Sequence, residues 1–171
     1  MGRLVVMSGY PAAGKSTLAA ALAARLDFTL VSKDALLAAI FQAMEGAAGD
    51  HALSLRCGRA AWEAFWMLSR AGGDLVLDSN IKGDDPYERA QLERLAGRIV
   101  ELHCECSLEL AQQRYRQRAA LGRAAQRTEA LDRERAALYA SPLAIGRMIR
   151  VDTTVPVDVD EVASAVLRAF G

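Results

Sequence analysis

The sequence predicts an α/β fold built on a parallel sheet, and three features of the 171-residue chain carry that prediction. A glycine loop, Gly9-Tyr10-Pro11-Ala12-Ala13-Gly14-Lys15-Ser16, stands between a short apolar run and an alanine- and leucine-rich segment, so the chain opens as strand, loop and helix. Short apolar runs then alternate with stretches of helical spacing to the end of the chain. Strands separated by helices are joined by crossovers, not hairpins, which makes the sheet parallel and covers both of its faces.

Leu4-Val5-Val6-Met7 is the first expected strand and residues 15–26 the first helix. Residues 28–31 read as the second strand. From Asp34 the spacing turns helical through Leu36, Leu37, Ile40 and Met44, with a stop at Gly46. Residues 51–70 carry Leu55, Trp62, Phe65, Trp66 and Leu68 on a further helix that ends before Gly72-Gly73. Leu75-Val76-Leu77 is the third strand. Asp85-Pro86 opens a helix reaching about Leu95, because proline lacks the N–H that a first turn leaves unbonded anyway. Residues 98–104 form the fourth strand, and Ser107 caps a largely helical but polar stretch over 108–139, with Gly122 breaking it. Residues 148–151 and 159–170 close the chain as a fifth strand and an amphipathic helix, all within one expected domain, 1–171.

Lysine plus arginine equals aspartate plus glutamate, 21 each, so no global field draws the chain to nucleic acid or an anionic membrane. No stretch reaches the ~18 apolar residues of a membrane span, and the apolar start runs into the glycine loop, not a cleavage site; a cytoplasmic protein is expected. Cys57, Cys104 and Cys106 are an odd number with too few partners for zinc or a disulfide framework, and read as reduced thiols.

The pattern G-x-x-x-x-G-K-S has a mechanism. Backbone N–H groups of the loop and of the following helix surround phosphates, Lys15 supplies a point charge and Ser16 a magnesium ligand. The loop, Gly9 to Thr17, therefore points to ATP and Mg2+, with the Lys15 side chain exposed until nucleotide arrives. The glycines do not fit G-x-G-x-x-G, which disfavours a dinucleotide fold.

Asp34 stands just past the second strand, at the carboxyl edge where α/β ligands bind, as a base for an acceptor hydroxyl or as a helix N-cap or first-turn residue. Asp78 ends the third strand, as a holder of magnesium or its waters or as a turn residue before Ser79-Asn80. Arg114 and Arg118 share one helix face, where like charges repel unless an anion or a carboxylate such as Glu109 answers them. Arg123 and Arg127 repeat the spacing, as on a mobile lid or a surface helix.

Taken in order, the elements Gly9 to Thr17, Ser32-Lys33-Asp34, Leu77-Asp78-Ser79-Asn80, and Cys106-Ser107-Leu108-Glu109 leading to Arg114 and Arg118 make a recognisable set. The chain resembles the small P-loop kinases related to the kinase domain of phage polynucleotide kinase, chloramphenicol phosphotransferase, gluconate kinase and zeta-type toxins. The resemblance implies a P-loop NTPase three-layer sandwich with five parallel strands in the order 2-3-1-4-5 and a helical lid over about 114–139. It implies Asp34 as general base, with Arg114 and Arg118 on the nucleotide phosphates and the transition state. Adenine would lie between the lid and Asp152-Thr153-Thr154.

Polynucleotide kinases of this group carry an arginine shortly after the base aspartate, where this chain has Ala35-Leu36-Leu37-Ala38. With zero net charge, this makes nucleic acid the weaker partner and a small hydroxylated acceptor the stronger, bounded by residues 56–66 and Asn80-Ile81-Lys82. Trp62, Phe65 and Trp66 sit at helical spacing, which favours core over pocket. A polynucleotide 5′-hydroxyl kinase and a slowly hydrolysing nucleotide-dependent switch are the rival readings.

Overall fold

Each expected apolar run becomes a strand: β1 (Arg3–Ser8), β2 (Thr29–Ser32), β3 (Leu75–Asp78), β4 (Arg98–Glu105) and β5 (Arg147–Asp152). A computed structural model of the protein describes residues 2–45, 50–120 and 131–171. In it the strands pair in parallel, in the order β2-β3-β1-β4-β5 that the resemblance implies. The helices between them are α1 (Lys15–Leu26), α2 (Lys33–Ala43), α3 (His51–Ser69), α4 (Pro86–Glu93), α5 (Leu108–Ala120), α6 (Arg133–Ala137) and α7 (Val159–Phe170). The expected stretch 108–139 is represented by α5 and α6, while Gly46, Gly122, Arg123 and Arg127 lie outside the described residues.

Strand residues alternate between faces, so one sequence period builds two cores. Val5, Met7, Val100 and Leu102 meet α1 and α7 on one face, where Phe28 and Phe170 approach to 6.4 Å. Leu4, Val6, Leu75 and Leu77 meet Phe65, Trp66 and Leu92 on the other. Phe65 and Trp66 are fully buried, as their spacing favours, and Trp62 stacks on Trp66 at 5.6 Å from a half-buried position. Helix starts are set by local chemistry. Asp85 accepts from the Tyr87 and Glu88 amides ahead of Pro86, and Asp158 does the same for Asp160 and Glu161.

Within β4, Glu101 and His103 alternate with Val100, Leu102 and Cys104, a pattern that suggests a solvated face. The strand has neighbours on both sides and helices or loops over both faces, so Glu101 is 0% exposed and is answered internally. Its Oε1 accepts from the Ser8 hydroxyl (2.5 Å) and the Leu143 amide (2.7 Å), and Oε2 from the Ile145 amide (3.4 Å). Ser8 Oγ also lies 2.8 Å from His103 Nδ1, an imidazole that burial holds below its usual pKa. One carboxylate thus ties the segment before β5 to the end of β1. Glu101→Gln will place an amide nitrogen against these donors and lower stability by about 1–3 kcal/mol in urea unfolding. A loss below about 0.5 kcal/mol, the range of ordinary surface changes, would show that the network needs no charge.

The parallel order delivers every strand's carboxyl end to one edge. Ser32 pairs with Asp78 across β2 and β3, and β3 pairs with β1, so the segments after β1, β2 and β3 open side by side.

Candidate active site

The loop after β1 can only be drawn with glycine at its two ends. Gly9 has φ 114°, and a Cβ there would stand 2.3 Å from the Cys104 carbonyl oxygen; Gly14, with φ 95°, occupies the N-cap of α1. No side chain caps α1, so its first N–H groups face the loop unclaimed and the positive end of the helix dipole points the same way. Ala12 also adopts a left-handed φ of 66° beside the Ala13 N–H to Tyr10 carbonyl turn, completing a concave nest of amides suited to an anion.

Lys15 corrects one expectation. Its side chain is not exposed: the residue is 4% exposed, and Nζ donates to the carbonyls of Gly9 (2.9 Å) and Tyr10 (2.7 Å). An ammonium at the head of a carbonyl-lined loop satisfies itself on those carbonyls when no phosphate is there to claim it. Burial pushes its pKa down to about 8, against the pull of the Asp78 carboxylate.

Asp78 ends β3 and is buried, accepting from the Ser32 hydroxyl (3.2 Å). Burial raises its carboxyl pKa, opposed by the Ser16 hydroxyl and the Lys15 ammonium. Asp34 is not the cap of α2, a position held by Ser32; it lies in the first turn, with its side chain 67% exposed. The neighbouring Lys33 was quoted above only as part of a motif. It is 8% exposed, with Nζ 2.5 Å from Asp34 Oδ1 and 5.7 Å over the Trp62 ring, and so pins the first turn of α2 to α3. Sequence reasoning assigned it no role because its burial depends on an aromatic nearly thirty positions away.

Two cavities flank the loop. A small cleft of about 30 Å³ is lined by Lys15, Ser16, Asp34, Asp78, Ser79 and Asn80, and Arg118 also reaches it. A larger chamber of about 420 Å³ lies between α1, α5 and the segment after β5, with Ala21, Val155, Pro156 and Val157 among its walls. Ala12, Gly14 and Arg118 line both, so the two meet across the loop. Arg114 lines only the chamber, and its Nη2 donates to the Thr153 carbonyl (2.8 Å), not to Glu109. Thr153 lines the chamber, whereas Asp152 accepts from the Thr154 amide (2.8 Å) and hydroxyl (2.6 Å) at the exposed surface.

Of the residues named as acceptor boundaries, Asn80 lines the cleft; Trp62, Phe65, Trp66 and Lys82 do not, and Arg56 and Arg59 are exposed on α3. All three cysteines are free, with the buried Cys104 thiol pushed up to about 12 by burial. Among the described residues no group of three or more His, Cys, Asp and Glu side chains could hold a metal ion, and no helix is long and apolar enough to cross a membrane.

A family model described as AAA domain matches residues 4–141. Among solved structures, the chain is similar to a candidate kinase from Chloroflexus aurantiacus J-10-fl, at 25% identity and a TM-score of 0.75, covering 99% of this chain and 98% of that one. Its fold is also that of a gluconokinase from Sinorhizobium meliloti 1021, at 18% identity, a TM-score of 0.57 and coverage of 99% and 91%. The APS kinase of Mycobacterium tuberculosis, in complex with AMPPNP and APS, shares the fold at 17% identity, a TM-score of 0.59 and coverage of 98% and 96%. No curated protein matches the chain.

Proposed function

The chain belongs to the AAA_33 family of AAA domains and has the fold of the small P-loop kinases, and from that premise we propose that it transfers the γ-phosphoryl group of ATP to a hydroxyl of a small molecule. The observation that carries this reading is the junction of chamber and cleft at Ala12, Gly14 and Arg118. A nucleotide laid across that junction has its base against the apolar chamber wall, its phosphates in the amide nest and its γ end beside Asp34.

Each side chain then has a task. Lys15 exchanges two carbonyls for the β and γ phosphates, and Arg118, which reaches both cavities, neutralises charge as it builds on the transferring group. Arg114, anchored on the Thr153 carbonyl, holds α5 over the chamber. Ser16 and Asp78 offer an all-oxygen donor set, and burial raises the Asp78 carboxyl pKa, which a cation beside it would oppose; both fit Mg2+, which when bound would polarise the phosphates. The acceptor oxygen bonds to the γ phosphorus as the bridging P–O bond to ADP breaks, and its proton passes to Asp34, whose carboxylate Lys33 holds in place.

The acceptor wall favours a small molecule over an oligonucleotide. Among the described residues the cleft's cations are Lys15 and Arg118, both on the nucleotide side, and Lys33 is already paired with Asp34. Radiolabel transfer from ATP to hydroxylated small molecules, run beside a short 5′-hydroxyl DNA at low salt, tests the proposal. Labelling of the DNA that fades steeply with salt overturns it, and so does ATP hydrolysis that labels no alcohol.

The buried lysine adds a pH signature. Below pH 8 its ammonium is charged both folded and unfolded, and the desolvation penalty is fully present. Between about 8 and the ordinary 10.5 the folded protein sheds the proton first, so ligand-free stability gains from Lys15 as pH rises through that window. Phosphates reverse this by favouring the charged form. Binding of Mg·AMPPNP at about pH 8.5 will therefore take up a fraction of a proton, read by calorimetry as the slope of binding enthalpy against buffer ionisation enthalpy. A slope near zero would show that nucleotide does not contact Lys15.

A further inference from the structure

Among the polar groups of the cleft, the hydroxyl of Ser79 stands apart. Lys15 is held by two loop carbonyls, Asp78 by Ser32 and Asp34 by Lys33. Ser79 follows Asp78 at the end of β3, is 5% exposed, lines the cleft, and its buried Oγ has no hydrogen-bond partner. Buried hydroxyls are paired with few exceptions, and an exception on a residue that lines a cleft calls for a partner that the protein itself does not supply.

The chemistry of the wall says which kind of ligand. A serine hydroxyl both donates and accepts, as an alcohol does, and so does the carboxamide of Asn80, the next residue along the same wall. Neither carries charge. The metal side of the cleft is supplied by Ser16 and Asp78, and Lys33, the cation next to Asp34, is already occupied by that carboxylate and by the Trp62 face. Ala12 is the one hydrophobic side chain among the described lining residues. An acceptor with an apolar remainder would leave Ser79 and Asn80 unanswered, whereas a second hydroxyl next to the reacting one would meet them.

We propose that Ser79 binds a second hydroxyl of the acceptor, which is therefore a polyhydroxylated molecule that presents one hydroxyl to Asp34 and a neighbouring one to Ser79. This rests on the phosphotransfer reading above and narrows its substrate class. Sites built to hydrogen-bond a substrate hydroxyl reject the analogue lacking it strongly, by up to ~10⁴–10⁵. The discrimination is measurable even when the best acceptor is not in hand.

The test is label transfer from Mg·[γ-³²P]ATP to matched pairs: glycerol against propanol, xylitol against pentanol, inositol against cyclohexanol. In the parent, at least one polyol will be labelled with kcat/KM ~10²-fold or more above its monohydroxy partner. Ser79→Ala will lower the polyol value by ~10-fold or more and leave the partner's unchanged, collapsing the ratio. Its ligand-free Tm will stay at or above the parent's, because the deleted hydroxyl has no partner to lose. A fall in Tm, an equal loss on both members of a pair, an altered Mg2+ dependence or preferential labelling of monohydroxy alcohols overturns the assignment. These failures leave the phosphotransfer reading standing if Asp34→Asn still slows labelling by ~10²-fold or more. ATP hydrolysis with no labelled alcohol removes both.

Discussion

Asp34→Asn will leave nucleotide binding at the parental level and slow phosphoryl transfer by ~10²–10⁴, the usual contribution of a positioned general base. The geometry makes the substitution clean. Asp34 lies in the first turn of α2 without capping it, is mostly exposed on the cleft, and its packed neighbour is Lys33. Asparagine keeps the shape and an oxygen facing the Lys33 ammonium, but it has no useful basicity. Alanine would be a poorer test, since it would strip the buried Lys33 amine of its hydrogen-bond acceptor as well as its counter-charge and could move α2. Single-turnover transfer at saturating Mg·ATP separates the chemical step from binding, with thermal shift on Mg·AMPPNP as the control. Turnover within a factor of two of the parent would assign Asp34 to structure and remove the base from the mechanism.

Lys15→Met should abolish the stabilisation that nucleotide confers. A ligand at a hundred times its Kd stabilises the folded state by ~2.7 kcal/mol, which for a chain of this size is a Tm rise of about 5–10 °C. The parent will show that rise with Mg·AMPPNP and the mutant little of it. The quantity to compare is the ligand-induced shift, not the absolute Tm, because Lys15 is part of the ligand-free fold. Replacing it removes a desolvated ammonium, which favours folding, and strips two carbonyls of their donor, which opposes it. Methionine matches the volume and limits packing changes. An equal ligand shift in mutant and parent would take the nucleotide away from this loop. The proton uptake on binding should vanish in the same mutant, so two independent readouts report on one contact.

The site was unevenly legible in the sequence. The backbone of the loop from Gly9 to Ser16 could be read because its geometry is local, with glycines where φ must be positive and a helix immediately after, but the inward turn of the Lys15 side chain could not. The strands and most helix boundaries came within a residue or two for the same reason, since hydrophobic period and capping act over a single turn or strand. Trp62, Phe65 and Trp66 show the limit. Their spacing separated core from surface, but only packing decided that Phe65 and Trp66 lie inside while Trp62 remains at the edge to receive Lys33.

By itself, then, the sequence determined an α/β chain with a phosphate loop and acids at the ends of β2 and β3, because short-range sterics and periodicity suffice for those. The tertiary structure alone decided the rest. Lys15 lies inward on loop carbonyls, Glu101 is buried although its strand alternates, Arg114 spends its guanidinium on Thr153 while Arg118 spans both cavities, and Ser79 is left without a partner. The Glu101 and Arg114 contacts depend on which distant backbone the fold brings within about 3 Å, and the Lys15 and Ser79 environments on how loop and strand end close over them; hydrogen bonding and desolvation at that range carry no trace in the spacing of residues along the chain.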